Sequence, residues 1–265
     1  MRSGHAATPV IPVLAAGVGV RDAARYAIRL ASFRLELPPV GHAALGVVAS
    51  RPAASVALVG LLTGRTAPSY GQLRVLGHDL RTPAGRAGVR AGIGTATGTG
   101  RTWPTMTIRG LVDWAARRSG QPRHNRGLLV AAILDRLALL PWAQVPLHAA
   151  PALVARRARL AAACVHEPEL LIIDGLFDRL EARDRMALTD AAGELKRDIS
   201  IIAIERDASS LPRFCDEVLT LAEGILVAPD GPGDPLGVPK MALERHRSPE
   251  DEPVPVTSDR SAPGR

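Results

Sequence analysis

Handling a phosphate ester takes a cation beside its oxygens, and in a glycine-rich loop that cation is usually a lysine. Of the 33 lysines and arginines in this 265-residue chain, only Lys196 and Lys240 are lysines, and neither lies in such a loop. Residues 60–66, GLLTGRT, imitate a phosphate-binding loop with arginine in place of lysine. Their spacing is one residue short, and a turn and a strand follow where a helix is needed, so the imitation is set aside. Cys164 and Cys215 stand in apolar or helical surroundings without metal-ligand spacing, which reads as two buried free thiols in a reducing cytoplasm. The densest basic cluster, Arg156, Arg157 and Arg159, falls on an expected helix.

The elements that must carry any such chemistry follow from hydrophobic period and turn residues. Aromatics make up 3% of the chain, so its core is built from Ala, Val, Leu and Ile. Residues 13–20, 28–37 and 45–49 read as strands, and 55–62 as an apolar helix ended by Gly64. Pro68, Ser69, Tyr70 and Gly71 turn into a strand over 72–76. Glycines make 92–100 read as a flexible run. Helical spacing covers 108–118, 126–139, 149–165 and 182–197, while 170–173 and 200–204 are continuous apolar runs suited to strands buried on both faces. A hairpin closes around Glu223-Gly224. Alternation of strands and helices predicts an α/β domain with a parallel sheet over 10–228, with a short tail over 1–9. Residues 229–265 hold eight of the 22 prolines with mixed charges and read as a disordered tail, with a turn or two of helix over 240–247. No apolar run has the length of a transmembrane helix, and 10–20 reads as an opening strand rather than a signal peptide. The net charge of +7 comes from scattered arginines, which disfavours nucleic acid as a partner.

Four segments together resemble the ABC-transporter ATP-binding family. They are LVGLLTGRTAPSYGQLRVLGHDL (58–80), RTWPTMTIRGLVDWAARRSG (101–120), VHEPELLIID (165–174) and the stretch 200–226 containing Cys215-Asp216-Glu217-Val218. They match, in the family's order and spacing, the region after the phosphate loop, the segment after the Q-loop, the Walker B strand and the closing strand. The resemblance implies an ABC-type P-loop NTPase-like fold: a mixed or parallel sheet core, an N-terminal β-rich part and a helical subdomain over about 101–160.

The resemblance also assigns positions. The phosphate-loop lysine falls on Ser55, its two glycines on Ala49 and Ala54, and the Mg²⁺ hydroxyl on Val56. None of the four defining residues is present; a one-residue slip would restore a hydroxyl at Ser55 but would put Ala54 where the lysine belongs. The helix N-terminus near Ala54 is expected to offer free amides to an anion, while alanines there resist positive backbone angles. Asp174 occupies the Walker B position, either as a Mg²⁺ contact through water or as a strand-end cap. Gly175 replaces the glutamate general base, Glu181 the D-loop aspartate, and Arg206 the switch histidine. Arg206 belongs either to a solvated face or against a phosphate. The signature segment maps to Ala150-Pro151-Ala152-Leu153-Val154, without its hydroxyl or glycines, and the Q-loop glutamine to Gly98. Tyr26 is a candidate for stacking on adenine, with a strand-edge core position as the competing reading.

Losing these groups together removes the positioning and charge stabilisation that carry phosphoryl transfer. The expectation is a pseudo-ATPase: a structural or regulatory partner of a membrane permease or of another ABC ATPase subunit, at the inner face of the membrane, with ATP and Mg²⁺ bound weakly if at all. Two alternatives stand beside it, a working subunit in an asymmetric dimer and a basic scaffold for nucleic acid.

Overall fold

A computed structural model describes residues 13–19, 35–36, 43–98, 105–222 and 225–227. The readings placed on 1–9, 20–34, 37, 228–265 and Tyr26 lie outside them. Ten strands and six α-helices are described: β1 (Val13–Gly19), β2 (Leu35–Glu36), β3 (Ala44–Val48), α1 (Pro52–Leu62), β4 (Tyr70–Val75), β5 (His78–Asp79), α2 (Pro83–Gly92), β6 (Ile93–Thr97), α3 (Ile108–Arg118), α4 (Arg123–Arg136), α5 (Ala152–Cys164), β7 (Leu170–Asp174), α6 (Ala182–Leu195), β8 (Ser200–Glu205), β9 (Glu217–Ala222) and β10 (Ile225–Val227).

The main sheet runs β10-β9-β3-β8-β7-β6. Its five strands from β9 to β6 are parallel, and β10 adds an antiparallel edge through the expected hairpin. A second, antiparallel sheet runs β2-β1-β4-β5. Successive side chains of a strand point to opposite faces, so each main-sheet strand feeds two cores. Leu171, Ile173, Ile201 and Ala203 join the helices α3 to α6 in one. Leu170, Ile172, Ile202 and Ile204 join α1 and the second sheet's Leu73 and Val75 in the other. This explains the uninterrupted apolar runs of β7 and β8: both faces are covered.

Two features depart from the sequence reading. Residues 93–97 form an edge strand rather than a flexible run, pairing Ile93 to Leu170 through Thr97 to Asp174. The glycine that disguised it is there for space, because a Cβ on Gly94 would overlap the carbonyl of Ala163 in α5. Helix α2 was also not anticipated, although Thr82 caps it by accepting the Gly85 amide at 2.9 Å. Helix α3 matches the expected bounds, with Thr107 as its N-cap and Gly120 at φ 79° just beyond its end.

Candidate functional site

The C-terminal rim of the parallel sheet is where open α/β sheets place ligands. Here β3, β6, β7 and β8 end close together and bring Ser55, Gly98, Asp174, Gly175 and Glu205 to one edge. Val48, the last residue of β3, is joined to Pro52, the first of α1, by only Ala49, Ser50 and Arg51. Pro52 stands at the first helical position, where its fixed φ suits the helix and its missing N–H costs nothing. The helix therefore begins three residues earlier than the spacing suggested.

That early start corrects the expectation of free amides near Ala54. The Ala54 and Ser55 amides both donate to the Arg51 carbonyl, at 3.0 and 3.3 Å. No residue from 49 to 56 has a positive φ, so the loop does not turn its amides into an anion-binding nest. Ala54 is buried in the core and Val56 is 66% exposed, with no oxygen to offer a cation. The imitation phosphate loop at 60–66 begins in the last turn of α1 and continues past its C-terminus, where Gly64 at φ 66° reverses the chain.

Ser55, at the lysine position, donates its hydroxyl to the Asp174 carboxylate in a short hydrogen bond. Asp174 thus has a neutral internal partner in the Ser55 hydroxyl. Removing the hydroxyl by Ser55→Ala should lower stability by about 1 kcal/mol in urea unfolding, the usual worth of a half-buried hydrogen bond. Equal stability of the two proteins would show that the contact carries no weight.

Gly98 follows β6 and packs directly on Gly175. A Cβ at 98 would overlap the Gly175 carbonyl oxygen, leaving no room for a glutamine. The pair is held by Gly98 N–H to the Asp174 carbonyl at 2.7 Å and Gly175 N–H to the Ile204 carbonyl at 2.9 Å. Gly175 itself has φ 58°, a conformation that other residues adopt at a cost.

Two charged groups that the sequence did not place at the site, Glu205 and Arg156, come near each other here. Glu205 ends β8, is 4% exposed, and accepts the Leu176 and Phe177 amides at 2.8 and 3.3 Å. Burial pushes its carboxyl up to about 8; the two amides pull it down, and the Asp178 and Asp174 charges reinforce the rise. The only available signal was a glutamate closing an otherwise apolar strand. Arg156 reaches in from α5, donating to the Gly98 carbonyl, and to the Asp178 carbonyl at 3.4 Å. Arg206 extends to the Asp178 carboxylate with its Nε at 3.2 Å and stays half-exposed. Among the described residues the single lysine, Lys196, pairs with Asp216 at the end of α6. Pro151 precedes α5 and offers no amide, and Glu181 stands at the N-cap of α6 without capping it by its side chain.

No protein-family model matches the chain. Curated proteins do. ABC transporter A family member 1 of Dictyostelium discoideum is 23% identical over 182 residues, 69% of this chain and 20% of that protein. The Fe(3+) ions import ATP-binding protein FbpC of Serratia marcescens is 24% identical over 205 residues, covering 76% and 58%. The hemin import ATP-binding protein HmuV of Rhodopseudomonas palustris is 26% identical over 196 residues, covering 71% and 74%. In sequence this chain is similar to ABC transporter ATP-binding proteins. The chain spans less than two thirds of the length of the first two relatives. Among solved structures, cbiO1 from Clostridium perfringens, part of the ABC transporter complex cbiONQ, superposes with a TM-score of 0.71 over 82% of this chain and 87% of its own. At 16% identity that likeness concerns the fold. No helix among the described residues is long and apolar enough to cross a membrane.

Proposed function

We propose that this cassette is a pseudo-ATPase, a structural or regulatory subunit that associates with a membrane permease, or with another ABC ATPase subunit, at the inner face of the membrane. The observation that carries the reading is the direct contact of Ser55 with Asp174 and of Gly98 with Gly175. The second contact leaves no room for a glutamine, Gly175 offers no base, and Ser55 carries no charge where the resemblance sets a lysine. The remaining residues do not fit the phosphates of a nucleotide. Val56 supplies no oxygen, the one lysine among the described residues pairs with Asp216, and the buried Glu205 adds a carboxyl to a rim that would have to receive phosphates; the Ser55 hydroxyl and Asp174 carboxylate are a donor pair suited to Mg²⁺ and alone do not hold a nucleotide. The partner follows by analogy with importer subunits and with a relative that is part of a transporter complex.

Calorimetry with MgATP tests the reading. We expect no heat at millimolar nucleotide, hydrolysis at the buffer background, and the same result for Asp174→Ala. Binding that the Asp174 change weakens would refute it and favour a working subunit in an asymmetric dimer.

A further inference from the structure

Helix α5 sends three arginines to main-chain carbonyls. Arg159 donates to the Thr97 carbonyl at 2.9 Å, Arg156 to the carbonyls of Gly98 and Asp178, and Arg157 to the Ala187 carbonyl at 3.2 Å. Thr97 and Gly98 are consecutive at the end of β6, Asp178 follows β7, and Ala187 lies in α6. The arginines therefore tie the helix on which α3 and α4 pack to the end of β6, the loop after β7 and α6.

Arg156 is the central one. Its guanidinium is half-buried, and it lies within electrostatic reach of the Glu205 and Asp178 side chains. Burial presses both Arg156 and Arg159 below the ordinary arginine range, and Arg156 adds to that pressure on its neighbour. A planar fork with five donors can serve two carbonyls at once, which an ammonium does less well. Arg156 also approaches the space above Gly98: a Cβ built there would come within 2.8 Å of one of its guanidinium nitrogens.

We propose that Arg156, supported by Arg159, is a built-in cationic latch. It holds the C-terminal end of β6 and the loop after β7 together, so that the helical layer and the sheet keep one arrangement without any nucleotide. Independence of nucleotide rests on the pseudo-ATPase reading; the latch itself is tested separately.

Hydrogen exchange on the full chain provides the test. Arg156→Ala should raise exchange at Gly98 and across 175–180 by about tenfold or more, while β3 and β8 keep their protection. Methylguanidinium should restore part of that protection, and methylammonium at the same ionic strength should not. Arg156→Lys, which keeps the charge and loses the fork, should fall between the two proteins. Unchanged protection at those sites, or a uniform rise throughout the sheet, would overturn the latch. If the alanine variant does not fold, Arg156→Gln is measured by the same criterion. Protection of 97–98 by MgATP in the unaltered protein would refute the pseudo-ATPase reading, and leave the latch to stand or fall on the Arg156 variants.

Discussion

Between about pH 4.5 and 8 this protein is expected to lose on the order of 4 kcal/mol of stability, and a Glu205→Gln variant far less. The sign follows from the direction of the shift. The Glu205 carboxyl titrates at about 8 in the folded chain against 4.5 when solvated. Below the lower value both states hold the proton and the full stability is present. Through the interval the unfolded chain ionises while the folded one stays protonated, and each pH unit removes about 1.4 kcal/mol. Above 8 the loss is complete. Glutamine keeps an oxygen for the Leu176 and Phe177 amides and cannot ionise, so the variant should become the more stable protein at high pH. His166, whose burial holds it below its usual 6.5, acts in the opposite sense as pH falls, and does so in both proteins. Work below pH 9 also avoids Cys164 and Cys215, whose thiols burial pushes to about 12. Urea midpoints measured across pH decide the matter: parallel curves for the two proteins would mean that Glu205 ionises in the fold as it does in water.

Gly98→Gln, which places the family's Q-loop side chain at its own position, should cost about 3 kcal/mol and confer no nucleotide binding. Its first carbon would overlap the Gly175 carbonyl oxygen, a backbone atom with no rotamer to relieve the clash. Retreat of either strand end would stretch the bonds from Gly98 to Asp174 and from Gly175 to Ile204. The guanidinium of Arg156 would have to leave the Gly98 carbonyl as well. Glycine at 98 is thus a packing requirement of this rim. A stable Gly98→Gln protein, or one that gains MgATP binding by calorimetry, would show instead that the rim can open.

The sequence alone determined the order of segments, the buried strands β7 and β8, the bounds of α3 and the lack of a lysine in any glycine-rich loop. These are local properties. An unbroken run such as Leu170–Ile173 reports a strand covered on both faces, and a missing lysine is missing in any fold. The sequence misled where one residue type serves two purposes. Gly94 looked like flexibility and is close packing under α5, while Pro52 went unread as the first residue of a helix that consumes the Ala54 and Ser55 amides. Only the tertiary structure decided what stands where the catalytic groups would be. Ser55, Gly98, Arg156, Asp174 and Glu205 belong to five segments that parallel strand pairing brings to one rim. Their meeting depends on the order of strands in the sheet, β3-β8-β7-β6, which differs from their order along the chain. No local pattern of residues carries that rearrangement, because each parallel pairing joins strands separated by a helical crossover.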